Sequence, residues 1–248
     1  MKKKTLTPTD LVQAVKLDNS PIIPQRSKLR SVLEIYQREL TDRQKQFLTL
    51  AADKTAKLIF VSGPAGTAKT YLSIYHALTM INEKRVSDLV YVRTTVECSD
   101  KSMGFLPGII SDKLSPYLQP LMDKLEELLP KNEIELLQKE SRITGVPIGF
   151  LRGLNWNAKV IVLDEAQNCT FKELFTLITR IGKFSKVFII GDPGQSDING
   201  KSGFTKMLNC FNDTESQLNG ICTFHFTEDD VVRSELVKFI TKKLRGQS

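Results

Sequence analysis

A run of small residues that ends in a lysine and a threonine is the strongest chemical signal in the sequence. Its members are Gly63, Pro64, Ala65, Gly66, Thr67, Ala68, Lys69 and Thr70. Small residues allow a backbone to fold closely around an anion, so that several main-chain N–H groups point at it. The lysine of such a loop reaches the β- and γ-phosphates of a nucleotide, and the hydroxyl binds Mg²⁺. The run therefore predicts a phosphate-binding loop with Lys69 on the phosphates and Thr70 on the metal. The alternative is a glycine-rich turn with a surface lysine.

One residue of this run departs from the usual pattern, which has glycine directly before the lysine. Here that position is Ala68. A left-handed conformation at an alanine would cost about 1–2 kcal/mol. We expect Ala68 to open the following helix in a right-handed conformation, at little cost.

A pair of carboxylates after an aliphatic run is the second signal. Asp164 and Glu165 directly follow Val160–Leu163. An acidic residue at the end of such a strand, beside a phosphate loop, is the expected partner of Mg²⁺. The next carboxylate can accept a proton from an attacking water. The pair predicts Asp164 as a metal ligand and Glu165 as a general base.

Three other polar residues fit the same site. Gln195 follows the apolar run 186–190 and could sense the γ-phosphate or position water. Arg233, or else Arg180, could place positive charge on the transferred phosphate. Gln44, upstream of the loop, could bind the N6 and N7 edge of adenine through its amide. A turn glutamine, surface arginines and a surface glutamine are the alternatives.

Two further pairs could contact a substrate. Arg93 and Glu97 come at and after the end of an apolar run, where the residues of a parallel sheet face the ligand crevice. Arg152 and Trp156 could contact nucleic acid by charge and stacking, although a lone tryptophan more often packs in a core.

The elements that must position these residues alternate between strands and helices. Uniformly apolar runs predict strands, and helical spacing or caps predict helices between them. We predict an α/β fold with a mostly parallel sheet and helices on both faces. The strands are expected at 58–61, 88–93, 147–151, 159–163, 186–190 and 221–226, and the helices at 32–40, 71–81, 109–129 (broken at Pro116 and Pro120), 133–140, 171–181 and 229–244.

Composition is that of an ordinary globular chain, with 41% hydrophobic and 25% charged residues and a net charge of +7. Residues 1–31 carry seven of the basic residues and two acidic ones, so we predict a basic, flexible arm before a domain at 32–248. No apolar run has the length of a membrane span, and no signal segment follows the first residues. We expect a cytoplasmic protein with free cysteines and no membrane partner.

A set of motifs in consistent order resembles the PhoH-like proteins. They are residues 63–70, Arg93 with Glu97, Gly104–Gly108, Asp164–Asn168, Thr179–Gly182, Gly191 and Asp192 with Gln195, and Asp230–Arg233. That family is similar to the first RecA-like core of superfamily 1 helicases. The resemblance implies binding and hydrolysis of ATP, Gln44 as a Q-motif glutamine, and an association with RNA or with phosphate starvation.

The sequence therefore favours a Mg²⁺-dependent ATPase that acts on RNA or single-stranded DNA. One motor core is too little for stepping along a strand, so we expect a homo-oligomer, such as a ring. Two alternatives remain at this point. One is a small-molecule phosphotransferase, and the other is a regulatory module that binds ATP with little turnover.

Overall fold

The computed structural model describes residue 29, residues 32–94, 110–198 and 200–234, and residues 236, 237, 239, 240 and 243; for 110–117 the description covers the backbone alone. Most of the predicted arm, Glu97 and Gly104–Gly108 lie outside the described residues.

A six-stranded parallel sheet forms the centre of the molecule, in the strand order β3-β2-β4-β5-β1-β6. The strands are β1 (Leu58–Ser62), β2 (Asp88–Arg93), β3 (Ile143–Pro147), β4 (Lys159–Asp164), β5 (Lys186–Gly191) and β6 (Ile221–His225). The central strands are apolar at nearly every position because both of their faces are covered. The prediction of an α/β fold with a parallel sheet is confirmed.

Helices cover both faces of this sheet. Ile59 and Val61 of β1 pack into the core on one side, and Leu58 and Phe60 pack into the core on the other. The first side carries α1 (Asp42–Ala52), α2 (Lys69–Asn82), α3 (Ile110–Leu128) and α4 (Lys131–Lys139); the second carries α5 (Phe171–Ile178) and α6 (Phe204–Cys210), while α7 (Thr214–Leu218) contacts β6.

The strand order places the predicted site residues at one edge of the sheet. Strands β4, β5 and β1 are neighbours, and they run in the same direction. Their carboxyl ends therefore meet, and the turns that leave them share one crevice. The phosphate loop follows β1, the Asp164–Glu165 pair ends β4, and the turn with Gln195 follows β5.

The segment before α1 differs from the sequence prediction. Residues 32–40 are not helical: Leu33 exchanges two hydrogen bonds with the Asn82 side chain, and the Tyr36 N–H donates to the Leu128 carbonyl. Tertiary contacts hold this segment extended and override its helical spacing. Leu29 is buried in the same core as Leu33.

The other differences concern boundaries. Helix α3 is continuous through Pro116 and Pro120. The residues expected to form a strand at 147–151 instead end β3 and form a 3-10 helix, Ile148–Phe150. Residues 229–244 are not one helix, because Asp230 closes a single 3-10 turn and residues 231–234 are not helical.

Among the residues that the structure describes, none of the helices combines the length and the apolar character that crossing a membrane would need.

A buried histidine makes the stability of the fold depend on pH. His76 of α2 is 5% exposed and packs edge-on against Phe188. Burial, and then the charges of Lys186 and Arg85, lower its pKa from 6.5 to about 4. The unfolded chain therefore binds more protons than the folded protein below pH 6.5, so stability is lost as the pH falls from 6.5 toward 4.

We expect this histidine to cost about 3 kcal/mol of unfolding free energy across that range. The measurement is urea unfolding at several pH values, for the wild type and for His76→Gln. The variant should lose less stability on acidification. His225→Gln serves as the control, because that histidine is exposed. Equal acid sensitivity of wild type and His76→Gln would contradict the assignment.

Candidate functional site

A polar cavity of about 320 Å³ opens at the carboxyl edge of the sheet. Residues of the phosphate loop, the Asp164–Asn168 motif, the turn with Gln195 and the Asp230–Arg233 motif contribute to its wall, whereas Gln44, Arg93, Arg152, Trp156 and Arg180 do not. The lining consists of Arg38, Ala65, Gly66, Ala68, Lys69, Thr70, Tyr71, Lys124, Asp164, Glu165, Gln167, Ile190, Gly191, Asp192, Gln195, Val232 and Arg233.

The loop between β1 and α2 needs glycine at two positions. Gly63 has φ 146°, and a Cβ there would lie 2.6 Å from the carbonyl oxygen of Phe226. Gly66 has φ 90°, and a Cβ there would lie 2.6 Å from Nε of Arg233. These two residues let the chain after β6 pack directly on the loop, and the Val232 N–H donates to the Gly66 carbonyl at 2.9 Å.

Lys69 is folded back onto its own loop. Its side chain is buried, and Nζ donates to the carbonyl oxygens of Gly63 and Pro64, both at 2.7 Å. The ammonium group therefore already lies inside the loop that the sequence predicts for phosphate. A bound phosphate would compete with these two carbonyls for its N–H groups.

The expectation for Ala68 is wrong. Ala68 is the residue before α2 and has φ 67° and ψ 22°, a left-handed conformation, with no side-chain cap. The loop must turn sharply to bring its N–H groups inward before the helix starts, and this closure dictates the backbone angles. The chain therefore carries the strain of about 1–2 kcal/mol that glycine would avoid.

We expect Ala68→Gly to stabilise the protein by about 1 kcal/mol, because relief of the strain exceeds the extra backbone entropy of glycine in the unfolded chain. The measurement is the free energy of unfolding in urea. Ala65→Gly is the matched control: Ala65 has no positive φ, so the same substitution there should destabilise the protein. A loss of stability in Ala68→Gly equal to that of the control would contradict the strain.

The acid at the end of β4 contacts the phosphate loop across the crevice. Asp164 is 8% exposed. Its Oδ1 accepts a hydrogen bond from Thr70 Oγ1 at 3.0 Å, and its Oδ2 accepts one from the Tyr91 hydroxyl at 2.7 Å. Burial and the Asp164 charge raise the pKa of Tyr91, so this phenol remains a donor. Thr70 and Asp164, which are far apart in sequence, thus place two oxygen atoms next to each other.

These oxygens suit a hard cation. Mg²⁺ prefers oxygen ligands and binds through one or two carboxylates together with substrate phosphates and waters. Among the described residues, no group of three or more His, Cys, Asp or Glu side chains could hold a metal ion by itself. The Thr70 hydroxyl and the Asp164 carboxylate fit a metal that arrives with a nucleotide.

Glu165 is held in a strained and partly desolvated position. Its φ is 57°, again left-handed, and burial followed by the Asp164 charge raises the pKa of its carboxyl. The Gln167 side chain fixes this carboxylate, because Nε2 donates to Glu165 Oε2 at 2.5 Å while Oε1 accepts from the Asp192 N–H at 3.0 Å. A raised pKa strengthens a carboxylate as a base.

The turn after β5 contacts the phosphate loop through a second carboxylate. Asp192 is 7% exposed, and its Oδ2 accepts from the Ala65 N–H at 3.2 Å while its Oδ1 accepts from the Gly194 N–H at 3.0 Å. An N–H of the phosphate loop therefore already faces an anion. Gln195 ends the same turn and lines the cavity.

Of the two candidate arginines, Arg233 lines the cavity and Arg180 does not. Arg233 lines the cavity and lies against Gly66 of its own chain. Arg180 is not part of the wall; its Nε is buried and has no hydrogen-bond partner among the described residues. The structure therefore brings Arg233, and not Arg180, to the predicted site.

Gln44 has a local structural role. It is 1% exposed, does not line the cavity, and forms a capping box at the start of α1: Thr41 accepts from its N–H, and its Oε1 accepts from the Thr41 N–H. Its Nε2 is buried without a partner among the described residues. This donor leaves a contact with a base possible, but the site as it stands does not present the amide to the cavity.

Sequence reasoning missed several wall residues. The guanidinium of Arg38 lies 4.0 Å from the centre of the Tyr71 ring, and both side chains line the cavity. Lys124 comes from α3, and Gln167 from the turn after β4. Tyr71 directly follows the phosphate loop and Gln167 lies within the motif Asp164–Asn168, so both could have been found from those positions. Arg38 and Lys124 reach the wall through tertiary packing alone.

Comparison with known proteins agrees with this geometry. A family model described as "PhoH-like protein" matches residues 37–245. The PhoH-like protein of Bacillus subtilis (strain 168) is 31% identical over 249 residues, covering 96% of this chain and 75% of that protein. Protein PhoH of Escherichia coli (strain K12) is 32% identical over 201 residues, covering 79% of this chain and 55% of that protein. The chain therefore spans three quarters of one relative and about half of the other.

A solved structure supports the fold. The large terminase from a thermophilic bacteriophage aligns with a TM-score of 0.52 at 12% identity, covering 83% of this chain and 50% of that chain. At this identity the likeness shows the α/β fold alone.

Proposed function

The chain belongs to the PhoH-like family, and from that premise we propose that it binds ATP with Mg²⁺ in the cavity and transfers the terminal phosphate to water. One observation carries the proposal. The Thr70 hydroxyl at the end of the phosphate loop lies 3.0 Å from the carboxylate of Asp164, which ends a different strand. The two predicted halves of a nucleotide site therefore meet where a metal and a triphosphate would be held together.

The residues of the cavity wall would have different roles in binding the nucleotide. Lys69 would turn from the Gly63 and Pro64 carbonyls to the β- and γ-phosphates, and Arg233 would add positive charge beside Gly66. Thr70 and Asp164 would hold Mg²⁺. When bound, the metal offsets the negative charge that develops on the phosphate oxygens.

Glu165 would accept the proton of the attacking water. The water oxygen forms a bond to the γ-phosphorus, and the bond to the bridging oxygen breaks. Gln167 keeps the Glu165 carboxylate in place, and Gln195 would contact the γ-phosphate or the water. Because Asp192 faces an N–H of the phosphate loop, binding of phosphate would displace its carboxylate and move the turn that carries Gln195.

The nucleoside would lie against Arg38 and Tyr71, whose stacked groups offer a flat, partly apolar surface to a base. Gln44 remains a predicted contact of adenine through its unpartnered Nε2.

We also propose that turnover is coupled to RNA or single-stranded DNA and that the active form is a homo-oligomer, such as a ring. The test is steady-state release of phosphate from ATP, with Mg²⁺, in the presence and absence of RNA and single-stranded DNA. Phosphate release when water is the only acceptor indicates an ATPase, because a small-molecule phosphotransferase needs its own acceptor substrate. Several-fold stimulation of phosphate release by either polymer supports the coupling. An unchanged rate with RNA and with single-stranded DNA contradicts it.

Existing contacts and strain in the phosphate loop favour the regulatory alternative. Lys69 and the Ala65 N–H already have partners within the protein, and Ala68 strains the loop, so nucleotide binding must compete with existing contacts. Wild-type protein that binds ATP but hydrolyses it no faster than Glu165→Gln would support a regulatory module over an ATPase.

A further inference from the structure

Four exposed phenylalanines occur on the side of the sheet that carries α5 and α6. Phe150, Phe171, Phe175 and Phe184 are 74%, 42%, 58% and 67% exposed. Neighbouring exposed apolar side chains mark a contact surface more often than scattered ones do. We call these four residues the aromatic face.

The aromatic face follows one helix. Phe171 and Phe175 lie one turn apart on the solvent side of α5, while Leu174 and Leu177 on its other side are fully buried. The 3-10 helix that ends in Phe150 packs against α5. The Cβ atoms of residues four apart on a helix are about 5–6 Å apart, a distance that suits neighbouring bases of an extended strand.

Phe184 is the fourth exposed phenylalanine, and its backbone is strained. It lies in the loop between α5 and β5 with φ 62°. A bulky residue rarely adopts this left-handed conformation, and such outliers occur more often at binding sites than elsewhere.

Cations predominate around the aromatic face. The exposed cations are Arg152, Lys172, Lys183 and Lys206. The Lys206 ammonium lies 5.4 Å from the centre of the Phe171 ring, so α6 places a cation directly beside an aromatic side chain.

Fewer carboxylates than cations lie near the aromatic face, and one of them is the exposed Asp197, which accepts a hydrogen bond from Asn168 just before α5. Residues 148–186 contain three acidic residues. Asp164 and Glu165 face the cavity, and Glu173 accepts hydrogen bonds from the Thr170 cap at the start of α5. The surface thus combines flat apolar rings with an excess of positive charge.

We propose that the aromatic face binds single-stranded nucleic acid, with bases stacked on the phenylalanines and phosphates on the flanking lysines and Arg152. Stacking needs unpaired bases and tolerates any sequence, whereas the cations attract the backbone of any polyanion. The inference rests on the proposed coupling of the ATPase to nucleic acid, because it identifies where that partner binds. Trp156 is 4% exposed and packs in the core, the alternative that the sequence favoured over stacking.

The position of α5 connects this surface to the nucleotide cavity. The helix starts three residues after Asn168, the last residue of the turn Ala166–Asn168, which carries Gln167 and follows Glu165. A nucleic-acid strand bound along α5 would therefore lie next in the chain to the turn whose Gln167 holds the predicted general base.

The experiment measures fluorescence anisotropy of labelled 20-nucleotide oligo(U) and oligo(dT) titrated with the full chain, at several salt concentrations. The Phe150→Ala/Phe175→Ala double variant should bind at least about tenfold more weakly, because stacking contributes about 1–3 kcal/mol for each base. Tyr36→Ala is the matched control: it removes a 46%-exposed aromatic ring from the segment on the opposite side of the sheet and should bind like the wild type.

A second variant tests the cations without touching the rings. Lys172→Ala/Lys206→Ala should reduce the slope of log affinity against log salt by about 1.4, which is about 0.7 for each lost phosphate contact. Circular dichroism and thermal melting establish that each variant is folded.

The outcomes separate the two proposals. If the wild type and both double variants bind the oligonucleotides equally well, the aromatic face is not the binding site, but the proposed coupling to nucleic acid is not contradicted. Wild type that binds neither oligonucleotide overturns both, while phosphate release without nucleic acid still tests the ATPase. Unchanged binding with a loss of self-association in the phenylalanine variant assigns the surface to a second copy and overturns the inference.

Discussion

Glu165→Gln is expected to slow ATP hydrolysis by about 10²–10⁴-fold while ATP still binds, the range over which a positioned general base accelerates proton transfer. Glutamine has the shape of glutamate but cannot accept a proton at neutral pH. The wild-type carboxylate is suited to the task, because burial and Asp164 raise its pKa and Gln167 holds it from one side.

The measurement combines steady-state phosphate release with equilibrium binding of a fluorescent ATP analogue. Glu126→Gln, an identical substitution at an exposed position of α3, is the control and should match the wild type in both assays. In the wild type, the rate should fall as the pH drops through the raised pKa of Glu165, since the protonated acid cannot act as a base. A variant that hydrolyses ATP at the wild-type rate would remove Glu165 from the mechanism.

Lys69→Ala is expected to weaken ATP binding by about 10–100-fold, because a hydrogen bond to a charged group contributes about 1.5–3 kcal/mol. The substitution also releases the Gly63 and Pro64 carbonyls, which the ammonium group contacts in this structure. Some loss of stability should therefore accompany the loss of affinity.

Isothermal titration with Mg²⁺ and a hydrolysis-resistant ATP analogue measures the affinity, and urea unfolding measures the stability. Lys54→Ala removes an exposed lysine and serves as the control for charge alone. If the affinity of Lys69→Ala equals that of the wild type, the loop at 63–70 does not bind the phosphates.

The sequence was informative where chemistry depends on neighbouring residues. The phosphate loop and the Asp164–Glu165 pair are each contiguous, and both follow apolar strands whose burial the residue types predict. The order β4-β5-β1 then brings these motifs together, because the parallel strands share one carboxyl edge.

The sequence was uninformative where tertiary packing decides. Ala68 is left-handed because the loop must close, and residues 32–40 are extended because the Leu33 backbone and Asn82 hold them. Arg38 reaches the cavity from that same segment, so no local pattern could indicate it. For Trp156, the expectation that a lone tryptophan packs in a core is confirmed.

The most direct test is a crystal structure of the wild-type chain with Mg²⁺ and a hydrolysis-resistant ATP analogue. The triphosphate should lie against the main-chain N–H groups of residues 65–69, with Lys69 turned away from the Gly63 and Pro64 carbonyls and the metal between Thr70 and Asp164. A triphosphate bound elsewhere, with Lys69 still on those carbonyls and Asp192 still on the Ala65 N–H, would show that this crevice is not the nucleotide site.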